Sequence, residues 1–317
     1  MTVMINAEFK AWLQQRFPGR VKLDESMAKH TSFSVGGPAE VFVSVRDEKQ
    51  LTSLVTACVE AGIQYTVVAG GTNLLVRDGG IPGVVINMKK GFKEMTIESV
   101  GGDEVNIRAQ AGVNLQTLCR QAIESGFAGL NFALGIPGTV GGAVIMNAGT
   151  SRGAMADVLT AVNTLMPDGT TKERDRSEFI LEYRRFTLKG ISPALENQVL
   201  VTGVRLSCRR ADPERLRREA KTILNERMQH HPIGVQSAGC FFKNPPEGDP
   251  AGKLIDMAGL KGRSVGGAAV SEKHANYIVN KGGATAADIL SLMAVVQAQV
   301  ADKFGVTLEP EVKIVGE

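Results

Sequence analysis

Residues 67–80 read VVAGGTNLLVRDGG. The two valines close a short β-rich run, and the chain then opens into Gly70-Gly71-Thr72-Asn73. Consecutive glycines let backbone N–H groups converge on an anion with no side chain in the way, and Thr72 and Asn73 add donors of their own. A second stretch of this kind, ALGIPGTVGGAVIMNAG at 133–149, sets Gly135, Gly138, Gly141 and Gly142 around Pro137 and Thr139. Either loop alone reads equally well as a tight turn in a glycine-rich sheet protein. Together they point to a ligand that bears phosphate. Neither GxGxxG nor GxxxxGK(S/T) occurs, so such a ligand is held by neither an ordinary Rossmann turn nor a P-loop.

At 317 residues the chain exceeds one typical core, and two domains are expected. With 43% hydrophobic and 22% charged residues the composition is that of a globular protein, and its 36 glycines point to turns and ligand loops. The net charge of +3 and 5% aromatic residues offer little for phosphate tracking or base stacking, which argues against a nucleic-acid binder. The basic run RRADPERLRR at 209–218 reads as a solvated helix start. Four separated cysteines with no CxxC pair fit a reducing compartment. The N-terminal stretch lacks a signal-like apolar segment, and no 18 apolar residues run together, so a cytoplasmic protein outside the membrane is expected.

Helical spacing of Leu51, Leu54, Val55 and Cys58, and again of Leu115, Leu118, Cys119 and Ala122, makes both cysteines core; glycines 62 and 126 stop the helices. Cys208 closes the β-like run VLVTGVRLSC, and a hairpin is expected around MPDGT at 166–170. Asp212-Pro213 starts a long polar helix to about His231 and marks the expected domain boundary. A capped helix starts at Thr285 with Asp288 three residues on and a stripe of Ile289, Met293, Val296, Val300 and Phe304. Helices and strands alternate early and strands cluster later, an α+β or mixed α/β pattern. Cys240 has no periodic apolar context, standing in SAGCFFKNP between a small-residue turn and a Lys-Asn-Pro stop. His230-His231 point different ways on a helix and lack a third ligand, so no metal is expected.

Eight blocks in order, KHTSFSVGGPAEVF, VVAGGTNLLVRDGGIPGVVI, GIPGTVGGAVIMNAG, YRRF, SAGCFFKNP, AGKLIDMAGLKG, GGAAVSEKHANYIVN and LEPEVKIVGE, cover the chain from about His30 onward. In these the sequence resembles the UDP-N-acetylenolpyruvoylglucosamine reductase (MurB) family, in the shorter type II branch since no long insertion follows YRRF. The resemblance implies an α+β fold. It has a two-lobed FAD-binding domain of the vanillyl-alcohol-oxidase/PCMH type at 1–211 (lobes about 1–95 and 96–211) and a smaller α+β substrate domain at 212–317, the last strand returning to the first lobe. It implies reduction of the enolpyruvyl ether of UDP-N-acetylglucosamine to UDP-N-acetylmuramate for peptidoglycan, with FAD as cofactor and NADPH as co-substrate. The partner implied is thus a small nucleotide sugar, with no obligate protein partner.

Carried over residue by residue, the resemblance puts FAD on Ala69, Gly70, Gly71, Thr72, Asn73 and Leu74, and on Gly135, Ile136, Pro137, Gly138, Thr139, Gly141, Gly142 and Asn147. Arg184 would face the substrate carboxylate with Tyr183 supporting it, as a planar fork suits better than a lysine. Arg185 next to it leaves open which guanidinium faces the site, and Phe186 departs from a position that is commonly small and polar. Glu309 and Glu311 lie on one strand face, and the resemblance selects Glu311 as the group helping to stabilise or protonate the intermediate. Cys240 stands where many relatives have the serine that gives a proton to the carbanion. A thiol, with an ordinary pKa of about 8.5, is the stronger acid. Lys243 and Asn244 match substrate-contacting positions, and His274 and Asn276 are candidates for the substrate's nucleotide or diphosphate, a structural His274 fitting as well. The rival readings are another flavin-dependent oxidase or dehydrogenase of the same fold, and a flavin-binding protein without catalysis.

Overall fold

The computed structural model describes residues 5–317 apart from 193, 194, 196 and 197. By contact the chain divides into two compact units. The larger comprises the residues up to Val21, Phe42–Gly70 and Gly83–Glu226; the smaller comprises Lys22–Val41, Gly71–Pro82 and Arg227–Glu317.

An antiparallel sheet forms the centre of the larger unit. Its order is Thr171–Asp175, Leu159–Leu165, Leu200–Arg210, Glu104–Gln110 and Met95–Gly101, with Phe127–Ala128 pairing the far end of Leu200–Arg210. Side chains alternate between its faces, as the period of a strand requires. Val105, Ile107 and Ala109 are buried, and they stand opposite Cys208, Leu206 and Val204. Two helices cover this apolar face. Leu115–Glu124 buries Leu115, Leu118, Cys119, Ala122 and Ile123, its first turn capped by Asn114, whose side-chain Oδ1 accepts the Thr117 N–H at 3.0 Å. Pro213–His230 buries Leu216, Ala220 and Ile223 in the same core. The hairpin at 166–170 joins Leu159–Leu165 to Thr171–Asp175, with Met166 N–H donating to Thr170 O at 2.8 Å.

Asp212 does start the 213–230 helix, its carboxylate accepting the N–H groups of Glu214 at 3.1 Å and Arg215 at 3.2 Å. The division by contact nevertheless falls later, at Glu226, because the stripe Leu216, Ala220 and Ile223 packs into the larger unit's core. A helix start is a backbone signal; the edge of a unit is set by where its buried stripe goes.

Also in the larger unit, Tyr65–Val68 runs parallel to Ile81–Asn87 from Tyr65↔Val84 to Val68↔Asn87. The helix Glu48–Glu60 buries Leu51, Leu54, Val55 and Cys58 behind an Asp47 cap. Burial pushes the thiols of Cys58 and Cys119 up to about 12 and that of Cys208 up to about 11, which makes all three inert.

In the smaller unit, the helix Ala286–Phe304 is capped reciprocally. Asp288 N–H donates to Thr285 Oγ1 at 3.1 Å, and Thr285 N–H donates to Asp288 Oδ2 at 3.0 Å. Asp78 adds a second anchor by accepting the N–H groups of Ala286 and Ala287 at 2.9 and 2.8 Å. The helix buries Ala286, Ile289, Leu292, Val296 and Val300, so Leu292 takes an inner place while Met293 and Phe304 are only partly buried. It packs on the antiparallel sheet Ser264–Val265, Ala268–Val270 and Ile278–Asn280. Phe33, Val35, Leu75, Phe241 and Phe242 complete that core. Lys313–Val315 pairs in parallel with Leu74–Val76, so the last strand lies beside the segment that follows the first glycine loop.

Candidate active site

The first glycine loop begins where the strand Tyr65–Val68 ends. Ala69–Leu74 are all partly accessible, between buried Val68 and buried Leu75. Gly71 has φ +62°, and a Cβ there would stand 1.9 Å from His30 O. Only glycine admits that approach. Asn73 ties the loop to the C-terminal strand: its Nδ2 donates to Glu311 O at 3.1 Å, and its own carbonyl accepts the Lys313 N–H at 3.1 Å.

In the larger unit, the second loop is clamped by backbone. Val140 N–H donates to Val113 O and Gly141 N–H to Ala111 O, both at 2.9 Å. A Cβ on Gly141 would lie 2.7 Å from Ala111 Cβ. Gln116 holds the front of the loop, a role its sequence neighbours do not announce. Its Nε2 donates to Ala133 O at 2.9 Å and Ile136 O at 2.6 Å, and its Oε1 accepts the Gly135 N–H at 2.8 Å. Gly135 and Gly138 both carry positive φ, and Thr139 caps the short helix Val140–Ile145.

Asn147 is buried, with φ +37°. Its Nδ2 donates to Glu182 O at 2.9 Å and its Oδ1 accepts the Ala156 N–H at 3.0 Å. This side chain thus links the end of the second glycine loop to the residue before Tyr183-Arg184. Those two residues form the turn between Phe179–Glu182 and Arg185–Leu188, where Glu182 stands opposite Arg185. Arg184 takes φ +58°, costly for a side chain with a Cβ and a mark of functional sites. It is half-buried, with its Cζ 4.9 Å from the Tyr183 ring centroid and Nη2 3.5 Å from Gly149 O. Arg185 is exposed. Phe186 packs on Phe179, with ring centroids 5.5 Å apart, so the residue that departs from the family pattern serves the core.

In the smaller unit, Phe241, Phe242 and Lys243 run beside Glu309, Pro310 and Glu311. Lys243 N–H donates to Glu309 O and Glu311 N–H to Phe241 O, both at 2.8 Å. The two glutamates, equivalent by spacing, separate here: Glu309 is exposed and its carboxylate pairs with Lys243 Nζ at 3.1 Å, whereas Glu311 is half-buried. Cys240 is partly accessible and packs against Ala269, Tyr277 and Val279. Gly239 before it has φ +82° and open space where a Cβ would stand.

Asn244 and Asn276 both serve the loop. Asn244 Oδ1 accepts the Ala251 N–H at 3.1 Å. Asn276 is 3% exposed; its Oδ1 accepts the Phe242 N–H at 2.9 Å and its Nδ2 donates to Phe242 O at 2.8 Å. Asn276 thus holds Phe242 through both polar ends of its side chain. His274 Nδ1 accepts the Asn276 N–H at 3.2 Å, and burial pulls its pKa below the usual imidazole value. Tyr277, which the sequence reading passed over, lies against Cys240. Among the described residues no group of three or more His, Cys, Asp or Glu could hold a metal.

The cofactor can be tested on these residues. Both loops present backbone rather than side chains. A Cβ at Gly142 would meet nothing nearer than Thr139 Oγ1 at 3.6 Å, and the open, partly accessible turn Ala69–Leu74 offers only small and neutral polar groups before Leu74. Such surfaces fit a flat, phosphate-bearing group, and they fit FAD.

The chain is 49% identical over 309 residues to the UDP-N-acetylenolpyruvoylglucosamine reductase of Desulfosudis oleivorans, covering 98% of this chain and 99% of that one. It belongs to the UDP-N-acetylenolpyruvoylglucosamine reductase family. The reductase of Geobacter metallireducens is 42% identical, with coverage of 99% and 100%. The crystal structure of the same reductase, MurB, from Thermus caldophilus superposes with a TM-score of 0.75 at 35% identity, covering 93% of this chain and 98% of that chain. Residues 39–174 match the family described as FAD binding domain, and 231–315 match the reductase family's C-terminal domain. The fold is accordingly an FAD-binding domain of the vanillyl-alcohol-oxidase/PCMH type with a smaller α+β domain. Both glycine loops lie in the first match, and Cys240, Lys243, Asn244, His274, Asn276 and Glu311 in the second; Tyr183 and Arg184 fall between them. Among the described residues no helix is long and apolar enough to cross a membrane.

Proposed function

We propose that this protein reduces the enolpyruvyl ether of UDP-N-acetylglucosamine to the lactyl ether, giving UDP-N-acetylmuramate for peptidoglycan, with NADPH as electron source. The observation that carries the reading is the 49% identity over nearly the whole chain to a reductase of that substrate. Arg184, Cys240 and Glu311 fill the three positions that the chemistry needs. The protein is a flavin-dependent oxidoreductase, and its four free cysteines suit the reducing cytoplasm.

Bound FAD would supply the two-electron hydride chemistry that links NADPH to the vinyl methylene carbon. The residues of Ala69–Leu74 and Gly135–Gly142 would hold it. The task left to the protein is the charge that then develops on the neighbouring carbon and spreads into its carboxylate. Arg184 presents a planar cation to that carboxylate, the interaction that strengthens as charge develops. The Tyr183 ring, stacked on the guanidinium, keeps it aimed. Cys240 gives its proton to the carbanion carbon: the S–H bond breaks, a C–H bond forms, and the sulfur is left as thiolate. Glu311, two residues before the last strand, donates its N–H to Phe241 O, next to Cys240, and helps to stabilise the intermediate. Lys243 contacts the substrate, while Asn244, His274 and Asn276 hold the acid-bearing loop in shape.

Anaerobic addition of NADPH to the flavin-loaded protein tests the reading. The visible flavin absorbance should bleach, and the enolpyruvyl nucleotide should then restore it. If the bleached flavin returns only with oxygen, the reductase reading fails and an oxidase of this fold replaces it.

A further inference from the structure

Next to Cys240 stand three packed rings. His231 and His274 stack with centroids 4.9 Å apart and planes at 15°. Tyr277 meets both edge-on, at 5.7 and 5.1 Å. His231 Nδ1 lies 3.1 Å from Tyr277 Oη, and the phenol is buried, 7% exposed. Cys240 packs against Tyr277.

His274 cannot take the place of His231 here. Its Nδ1 accepts the Asn276 N–H, so its proton sits on Nε2. His231 is neutral at ordinary pH: burial, then the charges of Arg227, His274, His230 and Lys273, pull it down to about 4. A neutral imidazole that donates Nδ1–H to the phenol oxygen leaves the phenol's own proton free to point at sulfur. Burial, then the charge of Cys240 and a hydrogen bond to it, hold the phenol well above the usual tyrosine range, so it keeps that proton. The ionisable groups around this trio are Arg227 and His230 at the helix end, Lys261, Lys273 and His274 on the facing segments, and Glu311 just before the C-terminal strand.

We infer that Tyr277 is a positioning residue for Cys240: held by His231, its hydroxyl orients the thiol and hydrogen-bonds the thiolate left when the proton has gone to substrate. No proton leaves Tyr277, and the thiolate recovers its proton from water at the end of the turnover. A donor aimed at sulfur favours the charged form, which lowers the thiol's pKa and makes it a better acid. This rests on the reading of Cys240 as the proton donor.

Tyr277→Phe keeps the ring stack and removes only the hydroxyl. Two readouts follow, each on the full-length flavin-loaded protein. The first is the pH dependence of Cys240 alkylation by iodoacetamide, followed by mass on the Cys240 peptide, without substrate; its midpoint should move up by about one pH unit. The second is flavin reoxidation by the enolpyruvyl nucleotide, which should slow about tenfold while bleaching by NADPH stays at the wild-type rate. His231→Ala, which removes the support of the phenol, should move the alkylation midpoint the same way by less. An unchanged midpoint in both variants overturns the inference, even if turnover slows, since slowing alone is what loose packing would give. Cys240→Ala with a full reoxidation rate would instead overturn the assignment of the acid, and the alkylation midpoint separates that failure from this one.

Discussion

Gly135–Asn147 in the larger unit and Ser237–Asn244 in the smaller are both loops that carry candidate site residues, yet they are held in different ways. In the first, missing side chains let backbone close on backbone, as Gly141 does on Ala111, and Gln116 and Asn147 pin its two ends. In the second, side chains set the shape: Asn244 of the loop accepts the Ala251 N–H, Asn276 comes from 34 residues away onto Phe242, and Tyr277, held by His231, packs on Cys240. A surface made of backbone suits a ligand retained through every turnover. A loop held by side chains can instead tune the acidity of one group, which is what a proton donor requires.

The sharpest way to probe this contrast is Arg184→Ala, which keeps the turn and removes the cation. Flavin reoxidation by the enolpyruvyl nucleotide should fall by about 10³-fold, with bleaching by NADPH retained. Equal losses in both half-reactions would mean that Arg184 holds the cofactor side together. Cys240→Ala comes next. We expect stability within about 1 kcal/mol of wild type and a reoxidation step slower by about 10²-fold, with Cys240→Ser keeping measurable turnover. Gly141→Ala should show the opposite profile. Its new methyl group has to displace Ala111, at a cost of about 2 kcal/mol in urea unfolding together with weaker flavin retention. A Gly141→Ala protein as stable as wild type would remove the backbone-on-backbone account of that loop.

The smallest effect is a pH dependence whose upper part comes from the side-chain-held region. His231 titrates near 4 when folded and near 6.5 when unfolded, so the unfolded chain takes up the proton first on acidification. Its contribution is full above about pH 6.5 and is lost as pH falls toward 4. Partial exposure reduces the effect to roughly 1–2 kcal/mol. The lowered pKa of His274 acts in the same direction. Glu25, whose carboxyl is held near 2 by hydrogen bonds from Lys22 and His30, adds a loss of the same sign only as pH falls through about 4.5, where the unfolded carboxyl takes up its proton. Urea midpoints between pH 7.5 and 4.5 measure the slope, which should flatten in His231→Asn.

The same contrast decides what could be read from sequence. Glycines advertise a backbone need at their own position, so both loops were legible, as were the Thr285 cap, the 166–170 hairpin and the helical stripes around Cys58 and Cys119. Side-chain partners across the chain carry no such local mark. Tyr277 looks like one more apolar residue before a strand, and Gln116 like an exposed helix position. The depth of Asn276, 3% exposed, and its two bonds to Phe242 are likewise not written in a dipeptide. Glu309 and Glu311 show the same limit, since a spacing of two fixes a common face without telling which residue lies at the edge.

The smaller unit has a consequence for anyone who would cut the molecule. Its core needs Phe33 and Val35 from one early segment and Leu75 from another, besides the residues after Arg227. A fragment confined to 227–317 would leave Ile289, Val296 and Phe241 facing water where those side chains belong, and the partner strand of Lys313–Val315 would be missing. Such a fragment should aggregate rather than fold. The unit that carries Cys240 is therefore a unit in space but not in sequence, and it is inherited, mutated and engineered only together with the chain that threads through it.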